Sequence, residues 1–381
     1  MTKIYWRVLV FVALMLIPAT SALAQDTEQS ALPSAYSLQG LDYEPQLWNN
    51  CGPATVTNAL TFFGYTDDQV RAQDFLKPNI EDKNVSPWQM VEFVNSQVPD
   101  FPVYALQRNG GTIDMLRTLI ANDFPVIIEE GYDPPGLNIG WMGHYLLVKG
   151  YDDNTQMITT HDSYEGANYN YSYDHITEYW QHFNYTYIVL YSADREEELM
   201  TLLGSDADEL NNIMNSLIIA NEEAAADNNN SWAWFNLGTN YVDLANYERN
   251  NGNEDTALLY FNNAKTAFDR AREIGIPFRM LWYQFGIYET YYEIAQASSD
   301  PAIASGLYAE ILRLARQTIE NCQNADGICY VEETYYYAGL AREALGETEN
   351  ALLNYNTALQ VNSNFQPAIT ARDAILAQAS G

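Results

Sequence analysis

Between residues 51 and 122 apolar side chains recur at helical spacing. Ala54, Val56, Ala59, Leu60 and Phe63 predict a helix over 51–63, with Pro53 tolerated in its first turn and Gly64 as its stop. Met90, Val91 and Val94 predict a second helix over 88–97, and Ile113, Leu116, Leu119 and Ile120 a third over 112–122. The period then falls to two. Residues 125–129, 144–151 and 157–162 read as strands, the last two as a hairpin through the turn Asp152-Asp153-Asn154. Phe183, Tyr185, Tyr187, Val189 and Tyr191 alternate as a further strand. Helical spacing returns near Asp194, with Leu210, Ile213, Met214, Leu217 and Ile218 on one face, and persists to the end. The pattern predicts an α+β domain over about 35–195 and an all-α region over about 196–381.

The first 24 residues do not fit that plan. Lys3 and Arg7 precede an apolar run from Val8 to Ile17, and Ala22-Leu23-Ala24 forms a small-residue cleavage site. The run is too short to span a bilayer, which takes about 20 apolar residues. Residues 1–24 are expected to be a signal peptide, and the mature chain to be exported, without a membrane span. Removing them deletes two basic residues and no acid, taking the net charge from −32 to −34. A polyphosphate or an anionic membrane surface would be repelled, so nucleic acid is not an expected partner. Twenty-nine tyrosines are present, concentrated between Tyr164 and Tyr191, where half-exposed strand positions or a binding groove would use them.

Charge excludes partners; the cysteines and histidines suggest chemistry. Of three cysteines, Cys322 and Cys329 share a loop between predicted helices, and an exported chain would either bridge them or bury them as small residues. Cys51 is the odd one, placed at the start of a helix where backbone N–H groups favour a thiolate. His144 opens one strand of the hairpin and Asp162 closes the other, so the two can meet at one edge of a sheet. That places a base and its orienting carboxylate for a nucleophilic thiol. Gln46 could offer an amide N–H to an oxyanion beside the Cys51 backbone N–H. His161 should point to the opposite strand face from Asp162, and His175 and His182 lack ligand-like neighbours. No histidine pair suits zinc and no loop spaces calcium ligands, so no cofactor or metal is expected.

The segments Gln46 to Thr55, Gly143-His144-Tyr145 with Gly150-Tyr151-Asp152, and His161-Asp162 resemble the papain-like cysteine peptidases of the bacteriocin-processing type. In export transporters those enzymes cut leader peptides after a double glycine. The resemblance covers about residues 35–192. It implies Cys51 as nucleophile, His144 as general base and acid, Asp162 as its orienter and Gln46 as oxyanion donor. Ser163 follows Asp162 where that family often has proline.

Farther on, Trp234-Phe235-Asn236-Leu237-Gly238-Thr239-Asn240-Tyr241 matches the W-x-x-L-G-x-x-Y signature of a tetratricopeptide repeat, with Ala264, Phe268 and Ala271 on its second helix. Weaker copies begin at Trp282 and Tyr335. The whole resemblance implies an α+β papain-like domain followed by an all-α tetratricopeptide-repeat solenoid. The function it implies is an exported peptidase with a peptide or protein substrate, and with a protein partner on the helical repeats. The alternative is a catalytically silent peptide-binding or scaffolding protein.

Overall fold

The computed structural model describes residues 32–98, 101–133 and 140–379, and residues from Pro33 onward belong to one compact unit. The expected signal peptide over 1–24 lies outside the described residues. The first elements are β1 (Ala35–Ser37), α1 (Cys51–Leu60), α2 (Gln69–Leu76), α3 (Pro87–Gln97), β2 (Val103–Arg108) and α4 (Ile113–Ala121). They are followed by β3 (Val126–Tyr132), β4 (Met142–Asp152), β5 (Met157–Asp162), β6 (Gly166–Ser172), α5 (Tyr173–Trp180) and β7 (Tyr187–Ser192). The strands form one antiparallel sheet in the order β2-β7-β3-β4-β5-β6, with β1 paired to the far end of β4.

Both faces of the sheet are covered, which is why its central strands read as apolar runs. Val126, Ile128, Leu146 and Val148 pack with α4 and α5 on one face. Ile127, Tyr145, Leu147 and Ile188 pack with α1 and α3 on the other.

The helix expected over 51–63 is α-helical to Leu60, then tightens to a 3₁₀ turn over Thr61–Phe63 that Gly64 ends at φ 86°. The alternation from Phe183 predicts a strand that starts too early. Phe183 closes a 3₁₀ turn, and Asn184 and Tyr185 both take positive φ, so pairing begins only at Tyr187. Helix α2, with Ala72 and Leu76 as its buried side, has too short an apolar face to stand out in the sequence.

After Ser192 every described element is helical: α6 (Glu196–Leu203), α7 (Glu209–Ala226), α8 (Ser231–Asn250), α9 (Glu254–Ile274), α10 (Gly286–Ala297), α11 (Pro301–Cys322), α12 (Glu332–Ala344), α13 (Thr348–Val361) and α14 (Gln366–Ala379). Asn230 caps α8 by accepting hydrogen bonds from the backbone N–H groups of Trp232 and Ala233. Two glycines set close helix approaches, since a Cβ on Gly238 would lie 2.6 Å from the Phe268 ring and one on Gly339 2.4 Å from Tyr355. Cys322 and Cys329 form a disulfide. No helix among the described residues is long and apolar enough to cross a membrane.

The helical region and the sheet domain share buried groups. Trp141 and Phe183 lie in one apolar cluster with Phe235, Phe261 and Phe268, and His182 stacks on Trp232 at 3.7 Å between centroids. Asn184 and Asn240 exchange side-chain amide hydrogen bonds of 2.8 and 3.1 Å.

Candidate active site

Cys51 is the first residue of α1, so its backbone N–H has no acceptor within the helix. The helix lies along β4, and the Thr55 hydroxyl donates to the carbonyl of Tyr145 at 3.3 Å. That contact brings the start of α1 beside the residue that follows His144. In the hairpin, Asp162 pairs with Leu146. His144 lies two residues farther along β4 and thus on the same strand face as Leu146. The outcome is a 2.8 Å hydrogen bond between His144 Nε2 and Asp162 Oδ1.

Asp162 is fully buried and richly bonded. Oδ1 also accepts from the backbone N–H groups of Tyr164 and Glu165 at 2.8 and 3.0 Å, and Oδ2 accepts from the Tyr171 hydroxyl at 2.6 Å. Burial opposes its charge, but the charge and hydrogen bond of His144, the Tyr171 hydroxyl and the Glu165 amide outweigh that and hold its pKa at about 2. Burial likewise opposes the imidazolium of His144. The Asp162 charge and hydrogen bond, then Cys51, raise its pKa well above the ordinary value. Burial would also raise the Cys51 thiol, yet the hydrogen bond and charge of His144, with Lys77 and the Tyr145 backbone, bring it below its ordinary value. Cys51 itself is only partly buried. The arrangement favours a thiolate paired with an imidazolium, which a carboxylate holds from behind.

Gln46 stands in the loop before Cys51. Its backbone N–H donates to the Ser163 carbonyl at 2.9 Å, and its side-chain oxygen accepts from the Ser163 hydroxyl at 2.9 Å. With the oxygen occupied, the amide NH₂ is the end left to meet a ligand.

Two buried groups that the sequence pattern does not reveal fix the same loop. Gln69, at the start of α2, accepts from the Leu47 N–H at 2.8 Å and from the Asn50 side chain at 2.6 Å, and donates to the Pro45 carbonyl at 2.8 Å. The Lys77 ammonium donates to the carbonyls of Asn49 at 2.7 Å and Asp82 at 2.8 Å. Asn49, at φ 51°, turns the chain into the helix. A lysine followed by proline gives no local hint of such a role; only the fold brings the carbonyls to it.

The other histidines stay outside this set. His161 is buried, and its Nδ1 accepts from the Asn168 N–H at 3.3 Å. His175 lies 3.9 Å from the buried Glu130, and His182 accepts from the Trp141 indole at 3.0 Å. Among the described residues no cluster of three or more metal-ligating side chains occurs. The helical region contributes Tyr283, which packs against Gly143: a Cβ there would lie 3.0 Å from the Tyr283 ring.

A model of the Peptidase_C39 like family matches residues 38–189, a span that holds Gln46, Cys51, His144 and Asp162. None of the curated proteins matches the chain. Residues 38–189 are thus similar to a cysteine peptidase-like, papain-like domain, and the helical region lies beyond the matched span.

Proposed function

We propose that the chain is an exported cysteine peptidase that hydrolyses peptide bonds through Cys51, His144 and Asp162. The buried Asp162–His144 pair set beside a thiol at a helix start carries this reading. The Cys51 thiolate attacks the scissile carbonyl carbon, and the carbonyl electrons move onto oxygen, where the Cys51 N–H and the Gln46 amide donate to it. His144 gives its proton to the leaving amine as the carbon–nitrogen bond breaks, leaving a thioester on Cys51. Water then attacks the thioester, His144 taking its proton, and the acid and the thiolate are released. Asp162 keeps the imidazole oriented and charged when it must be.

The relation to bacteriocin-processing enzymes extends, in this reading, to the mechanism and not to a double-glycine leader substrate. Export is supported by the composition of residues 1–24 and by the Cys322–Cys329 disulfide, a bond favoured outside reducing compartments. We assign the helical region to irregular tetratricopeptide repeats that hold a protein partner, on the strength of the Trp234–Tyr241 signature and the Gly238–Phe268 and Gly339–Tyr355 contacts.

A thiol-directed peptide electrophile should label the native chain and leave Cys51→Ala unlabelled. Peptide hydrolysis should vanish in the same variant. Equal labelling of the variant, or unchanged hydrolysis, sinks the peptidase reading and returns the protein to peptide binding without catalysis.

A further inference from the structure

A cavity of about 630 Å³ lies between the start of α3 and helices α10 and α12. Its walls include Trp88, Tyr283, Tyr336 and Tyr337, and its acids are Glu289, Glu293 and Glu333. Two of its walls run directly from the candidate active site. Tyr283 packs on Gly143, the neighbour of His144. On the other side Ser86 follows Val85, whose side chain abuts Gly52 next to Cys51 and whose carbonyl accepts from the Tyr145 hydroxyl at 2.7 Å.

The acids are unevenly compensated. Arg249 pairs with Glu293 at 2.7 Å. Among the described residues Glu289 accepts a hydrogen bond from the Asn246 amide, at 2.8 Å, and feels the Arg249 charge without an ion-pair contact, while Glu333 meets Asn84 and Ser86 at 3.4 and 3.5 Å through one oxygen. The other oxygen of Glu333 is buried without a hydrogen-bond partner among the described residues, and the residue is 4% exposed. Among the described residues neither Glu289 nor Glu333 has a Lys or Arg in ion-pair contact, and no Lys or Arg lines the cavity. Burial raises both carboxyls above their ordinary values, Glu333 further because of the adjoining Glu332. A buried acid without a cation, among aromatic faces, is the chemistry that binds an ammonium or guanidinium group.

We propose that this cavity receives a lysine or arginine side chain of the peptide on which Cys51 acts, making the protein selective for basic peptides. The proposal rests on the peptidase reading for its substrate. The net charge of −32 works in the same direction, drawing cationic peptides toward the chain.

Binding measured without catalysis separates the two ideas. The full chain carrying Cys51→Ala is titrated with Gly/Ala peptides of equal length that bear one central Arg, norleucine or Glu. The Arg peptide should bind at least about tenfold more tightly than the norleucine peptide, and the Glu peptide more weakly than either. Adding Glu289→Gln or Glu333→Gln should shrink the Arg preference to about twofold or less, with the circular dichroism spectrum unchanged. Equal binding of Arg and norleucine peptides overturns the proposal, and that comparison needs no substitution in the cavity. A preference that survives both substitutions in folded protein overturns it too. Failure of the native chain to hydrolyse any of these peptides counts against the peptidase reading, while the binding ratio still decides the charge of the occupant.

Discussion

Ser163 holds both the backbone and the side chain of Gln46. A proline at that position would keep the carbonyl but lose the hydroxyl, so this chain orients the Gln46 amide, which we propose as the oxyanion donor, by a hydrogen bond of its own. Gln46→Ala should lower kcat/KM by roughly 10²-fold, the usual cost of one oxyanion donor. Ser163→Ala should cost about tenfold, and the double variant no more than Gln46→Ala alone, because the two act as one unit. Strict additivity in that cycle would show that Ser163 does not work through Gln46. Titration gives a second measure. Asp162 has a pKa of about 2 when folded, below the ordinary value of about 3.9 when unfolded, so the unfolded chain binds the extra proton. Its contribution, about 2–3 kcal/mol, is full above the unfolded value and is lost as pH falls through the folded one. Urea midpoints of native protein and Asp162→Asn should therefore converge between pH 5 and about pH 2. His144 has the opposite sign, its folded pKa being raised: that stability is present below the unfolded value of about 6.5 and disappears as pH rises through the folded one. Alkylation of Cys51 should persist below the ordinary thiol range, and His144→Ala should move its onset up toward about pH 8.5. The meeting of His144 with Asp162 was legible in the sequence because both lie near the same end of the hairpin, and Cys51 stood out because it opens a helix. Gln69, Lys77 and Tyr171 were not, because their partners are set by how separate elements dock.

At the level of elements, periodicity located α1, α3, α4 and the β4–β5 hairpin to within a few residues, since α3 and α4 each bury one apolar side while α1 and β4 are apolar runs buried nearly all round. It misplaced the start of β7, where Phe183 and Tyr185 keep the alternation while the backbone at Asn184 and Tyr185 turns left-handed. It passed over β6, whose exposed Tyr169 and buried Tyr171 lie among polar residues. Glycines in the helices offer a test of the packing. Gly238→Ala would push a methyl group to 2.6 Å from the fully buried Phe268 ring, and should destabilise the protein by about 1–3 kcal/mol in chemical denaturation. On the exposed side of α11 a Cβ at Gly306 would meet no described atom within 4 Å beyond its own helix backbone, and Gly306→Ala should stabilise by about 0.5–1 kcal/mol. If Gly238→Ala is as stable as the native chain or more so, the close approach of α8 and α9 is not what Gly238 provides.

Over the whole molecule the sheet domain and the helices share a core. Trp141 and Phe183 are enclosed by helical side chains, the Lys83 N–H donates to the Tyr330 carbonyl at 2.9 Å, and the Asn362 amide donates to the Leu76 carbonyl at 3.1 Å. Calorimetry should record one unfolding transition for the chain, and a fragment ending at residue 195 should bind a hydrophobic dye that the full chain does not. Two well-separated transitions would mean that these contacts do not couple the parts. None of this docking was readable from the sequence, since alternation and helical spacing report which residues are buried and not what buries them. The sheet order carries a consequence for the sequence of assembly. The last strand in the chain, β7, lies between β2 and β3, and β2 pairs with no other strand among the described residues. A chain emerging from its N-terminus thus leaves β2 and one edge of β3 open until residues 187–192 arrive, a long-range closure that slows folding and leaves strand edges unprotected. Amides of β2 should gain protection from exchange together with those of β7, so that an early strand of the sheet is completed only by its last one.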